Sequence, residues 1–108
     1  MTTDVVVVTT VTGSQEEAQR ISNLLIEQRL AACAQVSGPI TSTYWWEGEI
    51  ESANEWAVAA KTTAGKAAAC RAAIVEAHSY DVPEVLETPV LGGHPPYLHW
   101  VSRETSAT

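Results

Sequence analysis

Phenylalanine is absent from this 108-residue chain, and four Trp with three Tyr supply all of its aromatic bulk. A core must therefore be built mainly from Val, Ile, Leu and Ala. Basic charge is scarce as well: 6 Lys and Arg stand against 13 Asp and Glu, for a formal net charge of -7. No cluster of Lys or Arg interrupts that balance, so the sign is wrong for attraction to phosphate backbones and nucleic acid is not expected as a partner. An acidic surface attracts cations diffusely, without selecting one, and mostly serves solubility.

Long apolar runs are missing too, which excludes a helical membrane span. The opening "MTTDVVVVTTV" has Asp4 where a signal peptide carries positive charge, and its apolar stretch is short and rich in Thr. A cytoplasmic protein is the expectation, with Cys33 and Cys70 kept as reduced thiols. They lie too far apart for zinc-type spacing, and both sit among small apolar residues, so both are expected to be buried and inert. There is no nucleophile beside a base, no Gly-rich phosphate loop and no cofactor motif. An enzyme is therefore not expected, although His78 or Tyr80 would be its general acid or base.

What is present reads as one domain over residues 1–108. Asp4 to Val11 is a β-branched run that suits a central strand. In "TGSQEEAQRISNLLIEQRL", Ser14 and Glu17 form a capping box, and Ala18, Ile21, Leu24 and Leu25 recur at helical spacing. Ala32 to Val36 turns extended, Gly38-Pro39 interrupts it, and "ITSTYWWEGEI" resumes the strand. Glu47-Gly48 is a tight turn into a return strand, Glu49 to Thr62, with Trp56, Val58 and Ala60 on one face. "TAGKAAACRAAIVEAH" is an alanine-rich helix with Ala67, Cys70, Ile74 and Ala77 as its buried stripe, expected to stop near Pro83. A last strand, Glu84 to Val90, precedes a short element introduced by Pro95 and Pro96, and "TSAT" is expected to fray.

The order βαββαβ plus a C-terminal element predicts an α+β, ferredoxin-like fold. In it an antiparallel four-stranded sheet carries both helices on one face and leaves the other bare. Tyr44, Trp45 and Trp46 near that bare region point to subunit association.

The chain resembles the CutA family of divalent-cation tolerance proteins. The likeness is carried in order by "RLAAC" (Arg29 to Cys33), "YWWEGEI" (Tyr44 to Ile50), Glu55, "KT" (Lys61-Thr62), "VPE" (Val82 to Glu84) and "YLHWV" (Tyr97 to Val101). It implies a homotrimer whose long hairpin strands pair across subunits to close a compact core, with Tyr44, Trp45 and Trp46 as the interface candidates. It also implies a role in tolerance of copper or other divalent ions. The similar trimer of the PII signalling proteins suggests the alternative, a sensor binding a small anionic metabolite in clefts between subunits.

The resemblance makes His78 the metal candidate, since neutral imidazole suits copper. Its ordinary alternative is the cap of the second helix. In relatives with a copper site the histidine has a cysteine and a second histidine for company; here those positions are Thr10 and Ala77. The motif "HPYE" is "HSYD", with Ser79 for proline and Asp81 for glutamate. Asp81 and Glu84 are either oxygen ligands or turn and strand-start residues, and Tyr80 is read as a core or interface aromatic whose hydroxyl finds a partner. Trp46, Glu55, Lys61 and Glu84 are the cleft candidates. Glu55 and Lys61 lie about 20 Å apart along one strand at the usual rise, so they can meet only across subunits. There Lys61 would either receive an anion or fix an intersubunit ion pair. His94 and His99 flank a Pro-rich stretch and are read as surface residues.

Overall fold

The computed structural model describes residues 3–106. Its elements are β1 (Val5–Thr12), α1 (Gln15–Glu27), β2 (Cys33–Trp46), β3 (Glu49–Thr63), α2 (Ala64–Ala77), β4 (Val85–Pro89) and α3 (Pro95–Ser106). The four strands form one sheet in the order β2-β3-β1-β4, and every neighbouring pair is antiparallel. This is the expected ferredoxin-like arrangement, with β1 held between β3 and β4.

β1 explains the layering. Val6, Val8, Thr10 and Thr12 are buried while Val7, Thr9 and Val11 are half-buried, so alternate side chains face two differently covered sides. The buried side meets α1 and α2: Val6, Val8 and Ala60 pack with Ile21, Leu25, Ala67, Cys70 and Ile74 in one core cluster. Full burial of side chains such as Ile21 and Leu25 stabilises by roughly 1.5–3 kcal/mol each.

α1 opens as its spacing predicts, with the Glu17 N–H donating to the Ser14 hydroxyl at 3.1 Å. It closes three residues sooner than the pattern suggests, because Arg29 adopts a left-handed conformation with φ 58°. The Leu30 N–H then reaches the Leu25 carbonyl (2.9 Å) and the Arg29 N–H the Ile26 carbonyl (3.1 Å). That reversed ending satisfies the last carbonyls and turns the chain toward β2.

β2 runs through Gly38-Pro39 as one strand, absorbing the interruption as a bulge between Ser37 and Ile40. Glu47 and Gly48 both take positive φ, 50° and 83°, the pairing required by a two-residue hairpin turn. β1 ends at Thr12, opposite Trp56, so Ile40–Trp46 and Glu49–Glu55 continue as a two-stranded ribbon with no third strand. The ribbon accounts for the elongated shape, 45 × 28 × 21 Å.

The C-terminal element is a 12-residue helix and changes two expectations. Cys33 and its cross-strand partner Lys61 lie on the side opposite Ala60 and Thr62, and the Tyr97 hydroxyl of α3 meets the Cys33 sulfur there at 3.3 Å. α3 thus covers part of the face expected to be bare. Thr105, expected to fray, is buried and its hydroxyl donates to the Val101 carbonyl at 2.9 Å; Ala107 and Thr108 lie outside the described residues. Among those residues no helix is long and apolar enough to cross a membrane.

Candidate functional site

The segment after α2 ties four parts of the fold together. α2 ends at Ala77, six residues before Pro83, because His78 turns extended (φ -78°, ψ 142°). A buried contact, rather than the proline, holds that turn. His78 Nε2 lies 2.8 Å from the Val11 carbonyl at the end of β1, and a carbonyl accepts, so Nε2 carries the proton. The Tyr80 backbone N–H donates to Nδ1 at 3.1 Å. Both ring nitrogens are therefore used by a neutral imidazole whose side chain is wholly buried.

Ser79 donates twice to Glu17, from its N–H to Oε2 at 2.8 Å and from its hydroxyl to Oε1 at 2.9 Å. Glu17 is the third residue of α1, so the carboxylate that a capping box turns back on its own helix is here turned across to another element. Burial opposes its charge, but the two Ser79 bonds outweigh that, aided by the Arg20 charge, and its carboxyl is held below its ordinary value.

Tyr80 donates its hydroxyl to Glu55 Oε2 on β3 at 2.8 Å, and its ring lies 4.8 Å from that of His78. Burial, then the hydrogen bond and negative charge of Glu55, push the phenol up to about 12. A side chain on Gly13 would press on this hydroxyl at 3.2 Å. The expectation that the Tyr80 hydroxyl finds a partner holds; that the partner is Glu55, and that Glu17 and Ser79 complete the corner, was not readable in the sequence. The only prior signal was the Ser14/Glu17 spacing, and it pointed within α1.

The other candidates are dispersed. The Thr10 hydroxyl is fully buried and donates to the Glu84 carbonyl at 2.7 Å, Ala77 has no donor atom, and Glu84 stands exposed before β4. Glu55 is at the base of the ribbon and Trp46 at its tip. Lys61 hydrogen-bonds the Gln35 side chain and makes no ion pair among the described residues. One chain thus does not bring Trp46, Glu55, Lys61 and Glu84 together. Asp81, His94 and His99 are exposed. Among the described residues no group of three or more His, Cys, Asp and Glu is placed to hold a metal ion. With His78 fully hydrogen-bonded, the Thr10 hydroxyl engaged and Ala77 without a donor, the residues at the copper positions do not fit that metal as they stand.

The thiols differ from each other. Cys70 is buried, and desolvation pushes it up to about 11. Cys33 is only half-buried, because its strand position faces α3 rather than the core. Its hydrogen bond with Tyr97, together with burial, pushes that phenol up to about 12.

Sheet order, helix placement and the long hairpin define an α+β protein of the ferredoxin-like kind. The family model for the CutA1 divalent ion tolerance protein matches residues 5–104, and the chain belongs to that family. It is 42% identical over 88 residues to the divalent-cation tolerance protein CutA of Archaeoglobus fulgidus, covering 82% of this chain and 85% of that one. Protein CutA of Mus musculus is 38% identical over 94 residues, 87% of this chain but 53% of its own length, so the chain spans about half of that relative. The crystal structure of CutA from Xylella fastidiosa superposes with a TM-score of 0.93 at 33% identity, covering 95% of this chain and 99% of that one.

Proposed function

We propose that the protein acts in the cytoplasm as a homotrimer in tolerance of divalent metal ions, meeting copper or another divalent ion weakly and without a cage built on His78. The observation that carries this is the double use of the His78 ring, Nε2 on Val11 and Nδ1 on Tyr80. A cation could take either nitrogen only by breaking a buried hydrogen bond. Free Cys33 and Cys70 suit a reducing compartment.

The ribbon supports association in a ring. Tyr44 and Trp46 share one of its faces with Glu51 and Glu49, while Trp45 and Ile50 share the other. Trp45 is 72% exposed, Ile50 64% and Trp46 56%, so both faces present apolar surface, on a two-stranded ribbon that is marginal by itself. A two-fold dimer covers one such face. A closed ring gives each copy two different neighbours and covers both.

Calorimetric titration of copper into the wild type and His78→Ala tests the metal reading. Weak, superimposable isotherms are expected; tight wild-type binding lost in the variant would overturn it. The second reading is a sensor of a small anionic metabolite between subunits, with Trp46, Glu55, Lys61 and Glu84 around the cleft. It is favoured by Lys61, whose partner within the chain is the uncharged Gln35 side chain. Quenching of Trp fluorescence by carboxylate and phosphate metabolites, weakened in Lys61→Met, is its expected sign; no response to any compound rejects it.

A further inference from the structure

We propose that the bulge at Gly38 aims the hairpin ribbon, and so directs the surface that meets a second copy of this chain. The proposal rests on the ring reading above and assigns its geometry to one residue.

Between Ser37 and Ile40 the chain takes three steps on β2, while β3 takes two from Ala57 to Glu55. One β2 residue is therefore extra. It lies where the ribbon leaves the sheet, since β1 ends at Thr12 opposite Trp56. A bulge bends its strand and tightens the local twist. Placed here, it redirects the ribbon while leaving the three-strand core regular.

Only glycine fits. Gly38 has φ 151°, and a Cβ would stand 2.6 Å from Trp56 Cδ1, 2.9 Å from Trp56 Cγ and 3.0 Å from the Glu55 carbonyl oxygen. That oxygen is backbone and cannot yield without moving β3. The seat is fastened from the core side too. The Thr12 hydroxyl, which gives its one proton to the Ser14 carbonyl at 2.7 Å, stands 3.3 Å from the Trp56 carbonyl, and the Glu55 carboxylate accepts from Tyr80 at 2.8 Å. The bend is thus set by packing on both sides of the junction.

The bulge also decides faces. With regular pairing of the same sequence, Pro39 would oppose Glu55 and the two-residue turn would lengthen to three. Tyr44 would then exchange faces with Trp45, and Trp46 would pass into the turn, because a one-residue slip inverts the side chains of the slipped strand. Trp45 would part from Ile50, which keeps its face on β3 and would stand opposite Tyr44 instead.

Two variants test this against the wild type, by sedimentation velocity at micromolar concentration with far-UV circular dichroism. Gly38→Ala places a Cβ against Trp56 and Glu55. Deletion of Gly38 removes the extra residue yet keeps Ile40 opposite Glu55, so it decides the matter if the alanine variant fails to fold. Both are expected to keep the wild-type spectrum and lose the trimer boundary. A folded variant that sediments as the wild-type trimer overturns the proposal. A monomeric wild type would refute the ring reading instead.

Discussion

Ser79 and Glu17, 62 residues apart in sequence, are joined by two hydrogen bonds of 2.8 and 2.9 Å that anchor the exit of α2 to the first turn of α1. Proline has no N–H and no hydroxyl, so Ser79→Pro removes both. The backbone would accept the ring at its preceding residue, since His78 is already extended (φ -78°, ψ 142°), the conformation that a following proline demands. The loss is then mainly that of the bonds to a buried carboxylate, about 1–3 kcal/mol, offset by up to about 1 kcal/mol from a stiffer unfolded chain. Urea unfolding should rank the wild type above Ser79→Ala and Ser79→Ala above Ser79→Pro. Equal midpoints for the two variants would mean that the backbone bond contributes no more than the proline's stiffening of the unfolded chain.

The same carboxylate sets an acid limit. Glu17 has its folded value below the ordinary 4.5, so the unfolded chain binds a proton there first as pH falls. Its contribution is complete above about the ordinary value and is lost as pH drops through the folded one. Plots of the urea midpoint against pH should fall more steeply below that point for the wild type than for Glu17→Gln. Parallel curves would remove Glu17 from the acid response.

At the alkaline end the sign reverses. Tyr80 is pushed up to about 12 from an ordinary 10, so between those values the unfolded phenol ionises before the folded one and stability falls as pH rises. Tyr80→Phe leaves Glu55, 8% exposed, without its donor and should cost about 1–3 kcal/mol near neutrality. Ultraviolet titration of tyrosinate is the check. One phenol should disappear from the late-ionising group in the variant, with Tyr97, also raised to about 12, remaining there. An unchanged late group would contradict the Tyr80–Glu55 bond.

Local chemistry made most of the fold legible. The β-branched run read as Asp4 to Val11, the Ser14 cap, the Glu47-Gly48 turn and the stripe Ala67, Cys70, Ile74 and Ala77 each announce themselves within a few residues; the strand was found at Val5–Thr12, the cap and turn in place, and the stripe buried except for the half-buried Ala77. The candidate corner was less legible because its bonds are long-range. Glu17 to Ser79 spans 62 residues, His78 to Val11 spans 67, and Tyr80 to Glu55 spans 25. Polar residues with no periodic spacing give no sign of their partners. Cys33 was read as core from its small apolar neighbours, but strand alternation puts it on the other face, beside Tyr97. The early end of α1 was hidden for a related reason: a left-handed ending usually carries glycine, and here it is Arg29.

Arg29 combines a backbone cost with a side-chain gain. A non-glycine residue in the left-handed region costs about 1 kcal/mol or somewhat more. Its guanidinium Nη1 meets Glu104 Oε1 at 2.7 Å and the Glu104 carbonyl at 3.2 Å, tying the exit of α1 to α3. Arg29 and Glu104 side chains are 48% and 33% exposed, so the ion pair contributes at most about 1 kcal/mol. Arg29→Ala keeps the backbone cost and loses the pair; Arg29→Gly loses the pair and relieves the backbone. The glycine variant should therefore unfold near the wild-type urea midpoint, and the alanine variant should be about 1 kcal/mol less stable than it. Hydrogen exchange should quicken across α3 in both, because both release Glu104. Equal stability of the two variants would show that φ 58° at this position carries no cost. Unchanged exchange would show that α3 is held without the Arg29–Glu104 pair.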